Sequence, residues 1–453
     1  MMRVALLNLP WRQNRRLGIR AGSRWPFTSL PEKDGLIHYI PFPFFLAYAA
    51  SLLKKEGKIV KLIDAIAEGI EEESLIKKIK SYKPQLIVVE TSTPSFKNDL
   101  RIIHKIYNDL TNCRTAICGP HASVFSKESL EEYDFIDYIL VGEYEYTLLD
   151  LVNCLENSLD LESILGLAYR RGEEVRINNE RSSIDNLDSL PWPEREDVPI
   201  YKYNDGFASL PSPNVQMWTT RGCPFHCSYC LWPQTMYREH KHRKRSPLAV
   251  VEEMECLIRR FNFKAVYFDD DVFNIDREHV LAICNEIIKK KIEIPWAAMA
   301  RADLMDETLL KSMSCAGLCA IKYGIESADQ NILNLCKKNM DLSKIRQIIK
   351  STKKLGIKVH LTFCLGLPGE TKQTIQKTIR FIQDTQPDSL QFSFATPFPG
   401  TEYFEYIKDK GRLLSEHWAD YDGNYKCVVK TQELSNRDLE RIRLALNNNF
   451  NLQ

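Results

Sequence analysis

The sequence predicts an α/β chain with two parallel sheets: a doubly wound, Rossmann-like sheet in the first half and a partial TIM-like barrel of six β/α units in the second. Short β-branched runs alternate with amphipathic helical stretches in both halves. The stretch 186–199 interrupts this alternation with three prolines, which cannot occupy a central helix or strand. We therefore expect domains at 1–155 and 213–401, a connecting region at 156–212 and a C-terminal tail at 402–453.

The first domain is expected to place polar and small residues at one edge of its sheet. Its predicted strands are 3–9, 59–63, 85–90, 115–118 and 138–141, and its helices include 44–55, 97–110 and 145–159. Ligands of such sheets bind beyond the carboxyl ends of the strands. The residues at those ends include Asn8, Asp64, Thr91, Ser92 and Gly119. Alone, this arrangement indicates a site for a nucleotide-like or corrin-like ligand. His121 lies at another strand end, where we expect it to satisfy its own loop.

The connecting region is expected to contain a β-hairpin. Residues 166–169 and 175–177 form two short strand-like runs on either side of a turn. We expect this hairpin to pack between the two domains.

The second domain is expected to form the barrel. Its predicted strands are 215–219, 264–268, 295–298, 320–323, 358–365 and 389–394, and its helices are 247–260, 277–290, 306–316, 343–355 and 371–385. Active sites of such barrels collect at the carboxyl ends of the strands. We therefore expect the chemistry in the loops that follow these strands.

Cys223, Cys227 and Cys230 form a CxxxCxxC run in the loop after the first barrel strand. Thiolates are the ligands of iron–sulfur clusters. A 4Fe–4S cluster has four irons, so three nearby cysteines leave one iron with a position for a small molecule, as catalytic zinc sites keep one position open. The alternatives are a disulfide site, three incidental cysteines, or structural zinc with His226 or His240 as a further ligand. The spacing fits none of the usual zinc patterns.

The flanking residues, Arg221-Gly222-Cys223-Pro224 and Tyr229, resemble the cluster-binding signature of the radical S-adenosylmethionine enzymes. This resemblance implies that the three cysteines hold a 4Fe–4S cluster. It also implies that the amino and carboxylate groups of S-adenosylmethionine bind the remaining iron. The resemblance covers nearly the whole chain and is strongest over 215–401.

Other strand ends resemble the family's contacts to S-adenosylmethionine. Asp269 and Asp270 lie in the segment that resembles the contact to the amino group, and carboxylates suit an ammonium group. Metal binding and plain solvation remain alternatives for the aspartates at 269–271. The resemblance further implies Arg301 for the carboxylate, Glu326 and Ser327 for the ribose, and a turn containing Gly366 and Gly369 for the adenine.

The first domain resembles the cobalamin-binding domain of the same enzyme class. Many such domains carry Asp-x-His-x-x-Gly, whose histidine binds cobalt from below. Here Asp64 and Gly69 match, and Ile66 stands where the histidine would be. The resemblance implies cobalamin without that axial ligand. A flavodoxin-like domain that binds something else is the alternative, because fold alone does not imply function.

The resemblance identifies the chain as a member of the cobalamin-dependent radical S-adenosylmethionine enzymes. It implies reductive cleavage of S-adenosylmethionine to a 5′-deoxyadenosyl radical, followed by methyl transfer to an unactivated carbon of a small-molecule substrate. The alternative is an oxidative cyclase or ring-rearranging enzyme that uses cobalamin without net methylation. Flavodoxin or ferredoxin is the expected electron donor.

Composition agrees with a cytoplasmic enzyme. The 453 residues carry a net charge of +1, which argues against nucleic acid as a partner. The 13 cysteines are scattered and odd in number, unlike a secreted disulfide framework. The longest apolar stretch, 40–53, is too short to span a bilayer.

Overall fold

The structure, a computed structural model, describes residues 1–13, 15–30, 39–110, 112–204 and 210–450. Residues 205–209 of the expected connecting region and 451–453 of the expected tail lie outside the described residues. None of the described helices combines the length and apolar character that crossing a bilayer requires.

The first half of the chain alternates strands and helices. Its elements are β1 (Arg3–Asn8), β2 (Arg12–Gln13), β3 (Arg16–Ile19), β4 (Phe27–Ser29), α1 (Phe44–Lys55), β5 (Ile59–Asp64), α2 (Ala65–Glu68), α3 (Glu72–Tyr82), β6 (Leu86–Glu90), α4 (Phe96–Asp109), β7 (Arg114–Cys118), α5 (Pro120–Val124), α6 (Ser126–Glu132), β8 (Tyr138–Leu140), α7 (Glu145–Asn157), β9 (Leu167–Arg171) and β10 (Glu174–Ile177).

Seven of these strands form one sheet in the order β10-β9-β8-β7-β6-β1-β5. The strands from β5 to β8 are mutually parallel, as the alternating sequence predicts. Alternate residues of β1 enter opposite cores: Val4 and Leu6 pack towards α1 and α7, whereas Ala5 and Leu7 pack towards α3 and α4. Burial on both faces explains why these strands are continuous apolar runs.

The hairpin of β9 and β10 differs in position from the expectation. It is present, but it joins the edge of the first sheet, where β9 pairs antiparallel with β8. The expected location between the two domains is therefore wrong. The backbone groups of the β8 edge find partners in this hairpin, which covers an otherwise open sheet edge.

The second half builds the barrel. Its elements are β11 (Asn214–Met217), β12 (Thr220–Arg221), α8 (Leu231–Thr235), β13 (Arg243–Lys244), α9 (Pro247–Phe261), β14 (Ala265–Phe268), α10 (Arg277–Lys289), β15 (Trp296–Ala300), α11 (Glu307–Cys315), β16 (Leu318–Glu326), α12 (Gln330–Leu335), α13 (Leu342–Lys354), β17 (Lys358–Leu365), α14 (Lys372–Thr385), β18 (Ser389–Phe394), α15 (Glu402–Asp409) and α16 (Asn436–Asn449).

Six parallel strands follow one another around this half-barrel in the order β11-β14-β15-β16-β17-β18. This order confirms the predicted six β/α units. Helix α1 joins the barrel to the first sheet: Phe44 stacks on Trp218 at 4.1 Å between ring centroids, and Phe45 contacts both Trp218 and Trp232. Because α1 is apolar on nearly every face, it is buried between the two domains.

Candidate active site

The three cysteines lie on one turn at the carboxyl end of the first barrel strand. The turn follows β12, and α8 begins directly after Cys230. The Gln234 side chain fixes it by donating a hydrogen bond to the Cys230 carbonyl at 2.6 Å, and the Cys230 amide donates to the Cys227 carbonyl at 3.1 Å. All three thiols are free and half-buried. The structure thus brings three sulfurs together at the barrel mouth.

The surroundings of Cys223 and Cys230 oppose ionisation of the two thiols. Burial raises the pKa of Cys223 to about 12 and the pKa of Cys230 well above its ordinary value, and neighbouring Asp271 acts in the same direction. Such thiols stay protonated unless a cation displaces the proton. The three sulfurs are the donor type that iron–sulfur clusters use.

The zinc alternative gains no support from the neighbouring histidines. The rings of His226 and His240 stack on each other at 3.9 Å, and the His240 Nδ1 lies 2.8 Å from the Phe225 carbonyl. Among the described residues, no group of three or more His, Cys, Asp or Glu side chains is arranged to hold a single metal ion, and this includes the three cysteines. In a cubane, by contrast, each thiolate binds its own iron.

The three aspartates after β14 have different partners. Asp270 is fully buried and accepts hydrogen bonds from the Thr219 and Thr220 amides at 2.8 and 2.6 Å. Burial raises its pKa to about 6. Asp270 thus fixes the backbone that leads into the cysteine turn. Its carboxylate is occupied within the protein.

Asp269 and Asp271 both bind Arg24. The guanidinium reaches across from the N-terminal segment and lies 3.0 Å from Asp269 Oδ1 and 2.7 Å from Asp271 Oδ1. It also packs over the Trp232 ring at 4.7 Å. Asp271 in turn accepts from the Gly222 amide at 2.9 Å. Asp269 lines the barrel cavity, whereas Asp271 supports the cysteine turn.

Arg301 and Glu326 lie on either side of the cysteine turn. The buried Arg301 pairs with Asp303 at 2.8 Å and stacks 3.7 Å above the Phe225 ring. Glu326 faces the cavity, where it pairs with Lys338 at 2.9 Å and accepts from the Cys364 thiol at 3.2 Å.

The other predicted contacts to S-adenosylmethionine pack within the protein. Ser327 is buried and its hydroxyl accepts from the Asp329 amide at 3.2 Å. A side-chain carbon at Gly366 would lie 3.1 Å from Val429, and one at Gly369 would lie 2.8 Å from Leu335. Both glycines therefore pack against protein on that side.

A cavity of about 1190 Å³ occupies the barrel interior. It reaches from Tyr229 of the cysteine turn to α16. Its strand walls mix apolar side chains with polar ones, which include Lys322, His360, Thr362 and Gln391. Typical TIM barrels instead fill this space with branched apolar side chains. The volume also exceeds the roughly 300–1,000 Å³ of a pocket for one small molecule. The cavity is therefore large enough for more than one ligand.

The edge of the first sheet brings Asn8 and Asp64 together. The Asn8 amide donates to Asp64 Oδ1 at 2.8 Å, and the Tyr203 hydroxyl donates to Asp64 Oδ2 at 3.0 Å. Asp64 also caps α2, which ends at Gly69, and burial raises its pKa to about 6. Ile66, in α2, is half-buried. These contacts hold the strand end rigid.

Thr91, Ser92 and Gly119 meet at the neighbouring strand ends. A side-chain carbon at Gly119 would lie 2.3 Å from the Thr91 carbonyl, so the two strands approach closely there. The Thr91 hydroxyl is buried and has no hydrogen-bond partner among the described residues, whereas the Ser92 hydroxyl contacts that of Ser95. Thr91 and Ser92 line a cavity of about 10 Å³ that faces α8.

His121 is held by contacts within its own part of the first domain, as predicted. Its Nδ1 lies 3.2 Å from the Thr93 hydroxyl, and its ring packs against Phe96, Phe125 and Trp418. Burial lowers its pKa to about 3, so the ring stays neutral. Trp418 belongs to the C-terminal tail, which therefore covers this part of the first domain.

Two family models match the chain. The model of the radical SAM superfamily matches residues 218–382, and the model of the B12-binding domain matches residues 37–152. An uncharacterized methyltransferase of Pyrococcus horikoshii is 32% identical over 402 residues, which cover 88% of this chain and 85% of the relative. The chain belongs to the cobalamin-dependent radical S-adenosylmethionine enzymes.

Other relatives of this radical SAM enzyme differ in named activity. The cytidylyl-2-hydroxyethylphosphonate methyltransferase of Streptomyces wedmorensis is 26% identical, with 80% of this chain and 77% of the relative covered. The anaerobic magnesium-protoporphyrin IX monomethyl ester cyclase of Cereibacter sphaeroides is 29% identical over 81% of this chain, which spans only 60% of the cyclase.

Solved structures share the fold of the radical SAM enzyme. The methyltransferase TsrM from Kitasatospora setae superimposes with a TM-score of 0.74 over 98% of this chain and 89% of TsrM, at 17% identity. The cobalamin-dependent radical enzyme OxsB gives a TM-score of 0.73 over 99% of this chain and 67% of OxsB, at 16% identity. These likenesses cover both domains.

The cofactors of the radical SAM enzyme are a 4Fe–4S cluster, S-adenosylmethionine and cobalamin. The thiol donor set of the cysteine turn fits the cluster. The unpartnered Thr91 hydroxyl offers a polar contact for a corrin or its nucleotide tail. The gap beside it, at about 10 Å³, holds no more than a water-sized group.

Sequence reasoning missed the N-terminal segment of the radical SAM enzyme. Arg20 is buried and donates to the Leu9 carbonyl at 2.7 Å and to the Ser95 hydroxyl at 2.9 Å, while Arg24 binds the barrel. The segment therefore connects the sheet edge to the cysteine turn. Its strands have two to four residues, too few to show an alternation of apolar and polar side chains. The two arginines lie near prolines and glycines, a composition that is typical of loops.

Proposed function

We propose that the chain methylates an unactivated carbon of a small-molecule substrate. The observation that carries this proposal is the position of the cysteine turn: it lies beside a large cavity and opposite the carboxyl edge of a cobalamin-binding sheet. When bound, the cofactors supply reductive cleavage of S-adenosylmethionine to a 5′-deoxyadenosyl radical and carriage of a methyl group. The protein orients the reactants and excludes water.

In the proposal, three groups of residues hold and support the cluster and S-adenosylmethionine. Cys223, Cys227 and Cys230 hold the cluster. Asp269, Arg301 and Glu326, which surround the turn, bind S-adenosylmethionine. Asp270, Ser327, Gly366 and Gly369 support the same site through the backbone, since their polar groups or Cα atoms contact protein.

Asn8, Asp64, Gly69, Thr91, Ser92 and Gly119 form the proposed cobalamin edge. Residues of the segment around Arg20 and Ser23 line the small gap between this edge and α8. We propose that this segment shifts when cobalamin enters, because the gap is far smaller than a corrin. Ile66 offers cobalt no donor atom, so the lower face would be open, bound to water or ligated by another residue.

The proposed setting is the cytoplasm, with flavodoxin or ferredoxin as the electron donor. All 13 cysteines are free thiols, which suits a reducing compartment.

A cyclase or ring-rearranging enzyme is the second candidate. Its support is the 29% identity to the magnesium-protoporphyrin ester cyclase, of which the chain spans 60%. Both candidates need the same cleavage of S-adenosylmethionine. They differ in whether a methyl group reaches the substrate.

Anaerobic reconstitution with iron, sulfide and hydroxocobalamin tests the proposal. We expect the reduced protein to form 5′-deoxyadenosine from S-adenosylmethionine, and we expect Cys227→Ala to lose this activity. Cys315→Ala is the matched control, since Cys315 is exposed and distant in sequence from the turn. Methyl-labelled S-adenosylmethionine then separates the candidates. Zinc in the cysteine turn, or full activity of Cys227→Ala, would contradict the proposal.

A further inference from the structure

The two ends of the chain form one wall of the barrel cavity. Arg16, in β3, and Arg443, in α16, both line this wall. The two guanidiniums influence each other electrostatically, since Arg16 contributes to lowering the pKa of Arg443. Two cations thus share one side of a cavity that reaches the cysteine turn.

Each guanidinium is oriented by the protein through its Nε group. Arg16 Nε donates to the Thr28 hydroxyl at 2.9 Å, and Arg443 Nε donates to the Phe392 carbonyl at 2.8 Å. Aromatic rings support the flat faces: Arg16 lies 4.4 Å from the Tyr425 centroid and Arg443 lies 5.4 Å from the Phe394 centroid. Arg16 Nη2 also donates to the Thr28 carbonyl at 2.8 Å. Arg16 Nη1 and both Nη groups of Arg443 have no hydrogen-bond acceptor among the described residues. Fixed planar donors of this kind suit the two oxygens of a carboxylate or phosphate.

No acidic side chain in the described ranges neutralises these two arginines by an ion pair. Asp422 is the nearest acid that acts on Arg443. Its oxygens are used elsewhere: Oδ2 accepts from the Thr28 amide and hydroxyl, and Oδ1 accepts from the amides of Asn424 and Tyr425 at 2.9 Å. The negative charge of Asp422 therefore offsets part of the positive charge of the two arginines without forming an ion pair with them.

The acids at the opposite end of the cavity have partners of their own. Asp269 binds Arg24, and Glu326 binds Lys338. Lys322, Lys358 and Asp388 also line the cavity, on its strand walls. The wall made by the chain ends holds two of the cations that line the cavity. Burial lowers the pKa of Arg443, which means that the cation has lost part of its hydration. A bound anion would compensate both arginines.

We propose that Arg16 and Arg443 bind an anionic group, a carboxylate or a phosphate, of the substrate. This proposal rests on the proposed function, which it deepens by naming the substrate class. The anchored end lies at the wall of the chain ends, and the reacting carbon points towards the cysteine turn. A neutral lipid would leave both arginines unpaired.

Titration of the reconstituted protein with inorganic phosphate and with glutarate tests this site and separates the two anion types. We expect saturable binding of at least one probe at constant ionic strength, and a tenfold or greater loss of affinity in both Arg16→Gln and Arg443→Gln. Arg441→Gln removes the same charge from an exposed position of the same helix and should bind like the wild type. Arg443→Lys keeps the charge and should retain part of the affinity.

Equal affinities of Arg443→Gln and Arg441→Gln, or no saturable binding by the wild type, would overturn the proposal. Circular dichroism of each variant identifies one that has not folded. Cleavage of S-adenosylmethionine by the wild type is measured separately. If cleavage fails while the anion still binds, the proposed function is wrong and the anion site stands; the reverse result removes only the anion site.

Discussion

At the scale of single residues, burial decides what identical side chains do. Asp269, Asp270 and Asp271 are consecutive, yet Asp270 accepts backbone hydrogen bonds in the interior while its neighbours bind Arg24. Successive side chains of a strand point to opposite faces, so adjacent residues at a strand end meet different surroundings. The functional role of each carboxylate therefore depends on its direction.

Glu370 is a buried carboxyl whose pKa makes stability depend on pH. It accepts a hydrogen bond from the Gly366 amide, and burial raises its pKa to about 8. Between the unfolded value of about 4.3 and the folded value, the native state binds one proton more than the unfolded chain. The free energy of unfolding therefore falls as pH rises through this window.

We expect Glu370→Gln to lack this pH-dependent component. Glutamine keeps an acceptor for Gly366 and carries no charge. From pH 5 to pH 8 the variant should gain on the order of 4 kcal/mol relative to the wild type, measured as the difference in unfolding free energy from urea titrations. Glu433→Gln, at an exposed position near the same turn, is the control. A difference that does not change with pH would contradict the expected titration.

At the scale of elements, the hairpin of β12 and β13 sets the shape of the cysteine turn. Gly222 has a φ of +84°, and a side-chain carbon there would lie 2.0 Å from the Lys241 carbonyl. Both the left-handed backbone and the close approach require glycine. The hairpin and the turn thus form one unit.

Gly222→Ala should displace this turn and lose the cluster. Gly57→Ala is the matched control, because Gly57 also has a positive φ, +75°, but nothing lies within 4 Å of its added carbon. We expect the control to cost only about 1 kcal/mol and to keep iron and sulfide at wild-type content. Iron and sulfide analysis after reconstitution measures the effect. A Gly222→Ala protein with a full cluster would show that the turn adapts.

An element could be predicted where the spacing of its apolar residues in the sequence matches the positions that are buried in the structure. The strands of both sheets and helix α1 are apolar runs of sufficient length, so their positions follow from the sequence. The location of the β9–β10 hairpin and the role of β2 to β4 do not. The strands β2 to β4 are short, and their segment owes its position to distant partners such as Asp269 and Asp422, which no local pattern specifies. The hairpin owes its position to pairing with β8. The place of the cysteine turn after the first barrel strand was predictable from the alternating elements, whereas the contact of Arg24 with Asp269 was not.

At the scale of the whole molecule, buried charges connect the two domains. Glu143, in the loop after β8, pairs with Arg221 at 3.0 Å and with Arg243 at 2.6 Å, and Arg221 also pairs with Glu145 at 2.7 Å. All four side chains are buried. Because Arg221 lies two residues before Cys223, the network connects the first domain to the cysteine turn.

Glu143→Gln should destabilise the protein by about 3–5 kcal/mol, because it leaves buried arginine charge without its partner. Asp185→Asn breaks a comparable pair with Lys241, in which both side chains are exposed, and should cost less than about 1 kcal/mol. Denaturant unfolding of both variants measures the contrast. Equal small losses would indicate that the domain contact does not depend on Glu143.

The wall formed by the chain ends has a consequence for how such enzymes diversify. Residues 16–30 and 424–448 contribute to the cavity, and both segments lie outside the regions matched by the two family models. Residues 16–30 include Arg24, which binds Asp269 and Asp271 beside the cysteine turn, so they cannot be exchanged without disturbing that turn. Exchanging residues 424–448 alone would change the far wall of the cavity, and we expect such an exchange to transfer substrate preference between homologues.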